Sequence, residues 1–346
     1  MSPARILEED ESEIRELIQA VERLGVTVLF DEPMARHCTL KIGGPADLYA
    51  VANDIDALER LGNLAAEHSL PLTILGGGSN VLISDLGIRG LVVANQARVH
   101  VISSGPDQAE IWDELDSNMD DASSGPHTGE ALLVVDSGAA LAGLARWAIR
   151  EGWSGLEWAV SVPGTVGGAV IGNAGAHGGQ ISDNLEWVLV AHPGRGHETM
   201  TVDQMQFGYR DSILKRILAA GAPSPIILQV GFRVLRGEVA EMTARADAYL
   251  AKRRTSQPVE PSAGSVFRNP PGDYAGRLIE AAGLKGHSIG GAQVSTRHAN
   301  FIINTGNARA AEVAELMRLV RSRVLETTGI ALVPEILYMG DWSEVR

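Results

Sequence analysis

Three short islands of this chain carry side chains whose combined chemistry suits the reduction of an unsaturated acid. Gly264-Ser265-Val266, inside the run PSAGSVFRNP, offers a neutral hydroxyl; Tyr209-Arg210-Asp211-Ser212 offers a fixed cation, and Pro334-Glu335 a carboxylate. Adding an electron pair to a double bond beside a carboxylate builds negative charge on that group, so the reaction needs a positioned guanidinium and a proton donor. None of the three islands supplies the electrons. Each also has a plainer reading: Ser265 as a turn serine after Gly264, and Arg210 with Asp211 as a surface charge arrangement.

Two glycine-rich loops are candidates for holding the group that does supply electrons. Leu75-Gly76-Gly77-Gly78-Ser79-Asn80 directly follows a predicted strand. Consecutive glycines let backbone N–H groups turn toward an oxyanion without side-chain obstruction. The loop matches neither the dinucleotide-binding spacing nor the P-loop, and a plain tight turn is the alternative. The second run, Val162-Pro163-Gly164-Thr165-Val166-Gly167-Gly168-Ala169 followed by Gly172-Asn173-Ala174-Gly175, lets backbone lie flat against a large planar ligand; close helix packing is its alternative. Together the loops suggest a dinucleotide lying between them.

The elements that must position these groups read as follows. Ile14, Leu17, Ile18, Val21 and Leu24 recur at helical spacing with Gly25 as a stop, which predicts a packing helix over 13–24. From Val26 onward short apolar runs broken by glycine (VTVLF, LYAVA, LTILGGG, GLVVA) predict strands alternating with brief helices such as 55–68. Residues 99–130 interrupt this texture with Asp107, Glu110, Asp113, Glu114, Asp116, Asp120 and Asp121 among Ser, Gly and Pro, and predict an acidic inserted hairpin or loop. Leu141, Leu144, Ala145 and Ala148 predict a helix ending at Gly152, followed by a long connection over 155–179. Strands are expected at 187–191 and 226–234 and a helix from 237 to 254. The final helix, 308–328, has Val313, Leu316, Met317, Val320 and Val324 on one side, Asn307 as N-cap and Gly329 as stop.

With 346 residues, two or three domains of about 100 to 200 residues are expected. The division is a helix at 1–25, strand-rich units at 26–98 and 131–236, the acidic insertion at 99–130, and a mixed unit at 237–346. A net charge of −14 argues against a nucleic-acid partner. Anionic nucleotides remain possible where local cations focus positive potential, with Lys252, Arg253, Arg254, Arg268 and Lys285 as candidates beside a merely solvated surface. No apolar stretch approaches the roughly 20 residues of a membrane span, and the acidic start at Glu8, Glu9, Asp10 and Glu11 does not read as a secretory leader. A cytoplasmic protein without membrane or obligate protein partner is expected. Cys38, the single cysteine, reads as core packing beside the start of a strand. His37, His177, His287 and His298 lack metal-ligand spacing and read mostly as surface or capping residues, so no metal is expected.

Taken in order, the islands KIGGPAD, LGGGSNVLISD, SVPGTVGGAVIGNAG, FGYRDSIL, QPVEPSAGSVFRNP, AGRLIEAAGLKG, IGGAQVSTRHANFIIN and VPEI resemble the UDP-N-acetylenolpyruvoylglucosamine reductases over nearly the whole of 39–336. The resemblance implies an α+β protein, with a two-subdomain FAD-binding fold of the vanillyl-alcohol-oxidase (p-cresol methylhydroxylase) type plus an α+β substrate-binding domain. It implies reduction of UDP-N-acetyl-3-O-(1-carboxyvinyl)glucosamine to UDP-N-acetylmuramate for peptidoglycan, with NADPH or NADH as co-substrate. Ser79 stands where covalent members of the wider superfamily carry a flavin-linked histidine, which implies noncovalent FAD. The short passage 234–265 resembles the second type of the family, which lacks an extra substrate-clamping loop, and the acidic stretch 99–130 departs from the family.

Residue by residue, the resemblance gives Arg210 the catalytic arginine's role, Ser265 the proton donor's and Glu335 that of the glutamate near the C-terminus. FAD contacts fall to Gly76, Gly77, Gly78, Ser79, Asn80, Pro163, Gly164, Thr165, Gly168, Asn173 and Gly175. Tyr209 and Asn269 are substrate-contact candidates, with ordinary packing or turn capping as the alternative. A hydroxyl can serve as the acid here because a carbanion beside a carboxylate is strongly basic, and a neutral donor does not compete with Arg210 for substrate charge. A carboxylate at Glu335 is tolerable only if protonated or shared with Arg210. Other readings are a flavin-dependent sugar or alcohol oxidase and a silent nucleotide-binding scaffold.

Overall fold

A computed structural model describes residues 19–103, 129–221 and 225–343 of the chain. The first part of the helix predicted over 13–24 lies outside them, and its last turns are helical over 19–23. Most of the acidic stretch, 104–128, is outside them too. Its described ends are strands, His100–Ser103 and Glu130–Asp136, paired antiparallel with His100 opposite Val135.

The chain forms two compact units. The first takes residues up to 51, 68–94 and from 252 onward. Its N-terminal sheet runs Val28–Pro33, Pro45–Ala52, Ile88–Asn95, Leu72–Leu75 in spatial order. Pro45 stands at the first position of its strand, where its missing N–H is harmless. A second sheet lines up Ser262–Ser265, Phe301–Asn304, Ala292–Val294 and Ser288–Ile289, all antiparallel. One continuous core joins side chains from both sheets, Tyr49, Leu75 and Val92 with Val294 and Ile302 among them, and takes in Met34, Leu82, Phe267 and Leu316 from the elements around them.

The final helix is Ala310–Thr328, and its predicted stripe of Val313, Leu316, Met317, Val320 and Val324 is buried. Gly329 ends it in the left-handed region, donating to the Leu325 carbonyl. Asn307 is not the cap. Arg309 holds the N-cap position, and the Asp85 carboxylate accepts the first helical amides, those of Ala310 and Ala311, at 2.8 and 3.0 Å. A side chain remote in sequence thus satisfies donors that a local Asn would otherwise take. Cys38 is buried and donates to the Ile42 carbonyl at 3.1 Å, in a turn after the short helix Met34–His37 and not at a strand start.

The second unit comprises 52–67 and 95–251. Its antiparallel sheet has the order Gly196–Thr201, Leu185–His192, Ile226–Arg236, Glu130–Asp136, His100–Ser103, with Trp153–Ser154 on the far end of Ile226–Arg236. Helix Leu141–Arg150 buries the predicted Leu141, Leu144, Ala145 and Ala148, and helix Val239–Ser256 contributes Met242 and Ala246 to the same core. The expected connection at 155–179 is more ordered than its glycines suggested. It contains the short helices Glu157–Ser161 and Val166–Ile171 and the strand Gly175–Ala176, which pairs with Gly179–Gln180. No described helix is long and apolar enough to cross a membrane.

Candidate active site

In the first unit, strand Leu72–Leu75 delivers the triple glycine, and strand Val81–Ile83 leaves it, running parallel to Leu337–Met339. That ladder fixes the chain on both sides of the loop. The Leu337 amide donates to the Asn80 carbonyl at 3.0 Å, and Asn80 Nδ2 donates to the Glu335 carbonyl at 3.3 Å. The Glu335 amide in turn donates to the Val266 carbonyl at 2.8 Å, and Phe267 bridges to Pro334. The glycine loop, Ser265 and Glu335 are therefore gathered by main-chain bonds, although more than 180 residues separate the first from the second. Ser265 closes the strand Ser262–Ser265, opposite Phe301, and both Ser265 and Glu335 are half-buried.

The loop itself is braced from behind. Thr39 donates its amide to the Gly78 carbonyl at 2.9 Å and its hydroxyl to the Ser262 carbonyl at 2.7 Å. Gly78 has φ +57° and packs so closely that a Cβ there would lie 2.2 Å from the His37 carbonyl oxygen. Gly77 is exposed, and its amide donates to no backbone acceptor among the described residues. A rigid turn with an outward amide and no side chain suits an oxyanion such as a diphosphate. Asn269 lies on the same unit, exposed, with Oδ1 accepting from the Ala275 amide at 3.0 Å, which is the capping alternative realised.

In the second unit the loop after Ser161 folds back on 137–141. Leu141 N–H donates to Gly164, Val166 N–H to Ala139 and Gly167 N–H to Ser137, at 3.1, 2.9 and 2.8 Å. A Cβ at Gly167 would sit 3.0 Å from that of Ser137, so a larger residue there would press on the Ser137 segment. Pro163 and Gly168 are exposed along it, and Thr165 is the N-cap residue of Val166–Ile171. Beneath lies a buried polar shelf that the sequence reading missed. Ser137 Oγ donates to the Ile227 carbonyl at 2.5 Å and accepts from Asn95 Nδ2 at 2.7 Å, and Asp136 accepts from the Val99 amide and Gln229 Nε2 at 3.0 and 2.9 Å. Burial pushes the Asp136 carboxyl above its ordinary value of 3.8.

Arg210 occupies a two-residue turn closed by the Gly208–Asp211 pair, and its φ of +56° is unusual for a residue with a side chain. Its Nη2 donates to the Gly175 carbonyl at 2.7 Å, and Lys215 Nζ donates to the Arg210 carbonyl at 2.9 Å. Asn173, also at positive φ and 3% exposed, spans the same region: Nδ2 donates to the Gly208 carbonyl at 3.0 Å, and Oδ1 accepts from the Ser182 amide at 3.1 Å. Asp211 pairs with Arg216. Ser212 caps the helix Ile213–Ala219 and ties it to the Ile171 carbonyl at 2.7 Å. Tyr209 is exposed with the Arg210 guanidinium 5.8 Å from its ring centroid. Six groups flagged in the sequence, Asn173, Gly175, Gly168, Thr165, Tyr209 and Arg210, thus fall on one interlocked region. Lys215, buried and cationic beside Arg210, was not foreseen.

The histidines are less superficial than expected. His177 stacks on Tyr249 at 4.1 Å and contacts Ser161 Oγ at 3.1 Å, and His37 stacks on Tyr49 at 4.4 Å. His298 does cap, accepting the Asn300 amide through Nδ1 at 3.2 Å, whereas His287 is exposed. No cluster of three metal-ligating side chains exists among the described residues.

Comparison with known proteins agrees with this geometry. Residues 46–199 match the FAD binding domain family, and residues 257–339 match the C-terminal domain of UDP-N-acetylenolpyruvoylglucosamine reductase. Reductases of that name from Chloroflexus aurantiacus and Heliobacterium modesticaldum are 41% and 43% identical over 313 and 312 residues, covering 90% of this chain and 98% and 90% of theirs. The crystal structure of the Thermus caldophilus enzyme superposes with a TM-score of 0.69 at 33% identity, covering 91% of this chain and 98% of that one. The fold is accordingly α+β, an FAD-binding domain joined to the reductase C-terminal domain. With that fold, and with nearly full-length identity well above the level at which families diverge, the chain belongs to the UDP-N-acetylenolpyruvoylglucosamine reductase family, a family of flavoprotein oxidoreductases.

Proposed function

We propose that the chain uses NADPH to reduce UDP-N-acetyl-3-O-(1-carboxyvinyl)glucosamine to UDP-N-acetylmuramate in the cytoplasm, as a step of peptidoglycan precursor synthesis. The observation that carries this reading beyond family membership is the main-chain ladder that brings the triple glycine, Ser265 and Glu335 together in one unit. When bound, FAD would supply hydride-transfer chemistry between the nicotinamide and the terminal vinyl carbon. Gly76, Gly77, Gly78, Ser79 and Asn80, with Pro163, Gly164, Thr165, Gly168, Asn173 and Gly175, are the residues that would hold the flavin. Ser79 offers no imidazole for a covalent link, so the flavin is retained noncovalently.

Arg210 holds the substrate carboxylate as charge grows on it, its planar fork already oriented by the Gly175 carbonyl and the tight turn. Ser265 gives its proton to the carbon bearing that carboxylate. Glu335, with its main chain fixed to Val266, polarises the charged intermediate from beside the donor. Tyr209 and the free end of Asn269 contact the sugar nucleotide. In this reading 26–98 and 131–236 serve the cofactor and 237–346 the substrate. The short 234–265 passage supports reading the chain as one of the second type of the family.

Anaerobic half-reactions test the assignment. Nicotinamide should bleach the flavin in wild type and in Ser265→Ala alike, whereas reoxidation by the enolpyruvyl sugar should slow about 10²- to 10⁴-fold in the variant. Equal loss in both half-reactions removes Ser265 from the proton-donor role.

A further inference from the structure

Five cations of the first unit or its border were candidates for drawing in an anionic nucleotide, and the structure separates them. Lys252 and Arg254 are exposed on the helix Val239–Ser256, Arg253 is half-buried on it, and Lys285 is paired with Glu280 at 2.9 Å. Arg268 differs from all four. Its Nε is shielded from solvent without a hydrogen-bond partner, and its guanidinium has no ion pair among the described residues. Arg89 also leaves a buried Nε unbonded, but its Nη1 is held by Asp47 at 2.6 Å.

A guanidinium taken partly out of water with no acceptor is unfavourable unless something else meets it. Its place is specific. Arg268 follows Ser265 by three residues, and its own amide donates to the Val333 carbonyl at 2.9 Å, two residues before Glu335. The main chain therefore pins it between the segments that carry two of the proposed catalytic groups. Three residues span at most about 10 Å of chain, so the cation lies within one sugar nucleotide's length of the proton donor.

We propose that Arg268 anchors the diphosphate of the sugar nucleotide. This rests on the proposed function, because that substrate carries two anionic groups at different depths. The carboxylate is attached to the carbon that Ser265 protonates and is the partner of Arg210. The diphosphate leaves from C1 on another part of the sugar ring, so it calls for a second cation apart from Arg210. Bidentate contact with phosphate oxygens also supplies acceptors for the outer nitrogens, while the buried Nε keeps the fork from turning away.

The test is calorimetric titration of UDP into the flavin-loaded protein, which reads the diphosphate without turnover, with NADP⁺ titrated in parallel. Arg268→Met should weaken UDP binding about 10- to 100-fold and leave NADP⁺ binding unchanged. It should keep or raise the thermal midpoint, since it removes a buried N–H that has no partner. Arg268→Lys, which keeps the charge but not the fork, should weaken UDP less and serves if the methionine variant does not fold. UDP affinity unchanged in both variants, or a lowered midpoint with UDP affinity intact, overturns the proposal. Turnover of the enolpyruvyl sugar by wild type separates the outcomes: if it is present, only the role of Arg268 falls; if it is absent, the function itself does.

Discussion

The two units hold their candidate functional residues by different means. In the first unit the triple glycine, Ser265 and Glu335 are held by backbone bonds, with strand Val81–Ile83 against Leu337–Met339 and Glu335 against Val266. In the second, Arg210 is held by side chains and by residues in the left-handed region, with Asn173 and Lys215 reaching carbonyls of the turn around it. A main-chain ladder is indifferent to most substitutions. A side-chain lattice is not, so the second unit should be where single changes propagate furthest.

Arg210→Lys is expected to be the most damaging change in the second unit. An ammonium cannot both hold the Gly175 carbonyl and present a fork to a carboxylate, and kcat/KM should fall about 10²- to 10³-fold. Circular dichroism and the thermal midpoint should barely move. A variant with near-normal turnover would remove Arg210 from the chemistry.

Paired asparagine variants break or sharpen the contrast most directly. Asn173→Ala loses three half-buried side-chain hydrogen bonds and places alanine at a φ of +40°, for an expected cost of about 2–4 kcal/mol. Asn80→Ala loses only one long side-chain bond while its carbonyl stays in the ladder, and should cost about 0.5–1 kcal/mol. Denaturant unfolding of both reads the difference. Equal losses would mean that the two sets of residues are held alike after all.

How much of this was legible in the sequence depended on the range of each interaction. The stripe from Val313 to Val324 repeats every three or four residues, so its burial could be read locally. Its cap could not, because Asp85 reaches the helix only after the sheets have formed. The shelf of Asn95, Asp136, Ser137 and Gln229 was invisible for the same reason: only strand register brings Gln229 opposite Asp136. Ser265 and Glu335 stood out only through the motifs around them, and nothing local marks Lys215 as buried beside Arg210. Asp85→Ala tests the long-range cap, with an expected loss of about 0.5–2 kcal/mol in thermal or denaturant unfolding.

The smallest expected effect distinguishes the units by the sign of their response to acid. In the first, burial lowers the His298 pKa below its ordinary 6.5, so the folded state resists protonation there. The stability this histidine contributes is present above that value and is lost as pH falls through the lowered folded pKa. In the second, burial raises the Asp136 pKa above 3.8, so its contribution is full below that value and declines as pH rises through the raised folded pKa. Amide hydrogen exchange reports each locally, at Asn300, whose N–H donates to His298, and at Val99, whose N–H donates to Asp136. On acidification from neutral pH, protection at Asn300 should decline in wild type and not in His298→Gln. Protection at Val99, measured against Asp136→Asn as reference, should instead improve once the raised carboxyl takes up its proton. Parallel trends at the two amides would show that the units answer to acid as one body, and that the different means by which they are built do not extend to their electrostatics.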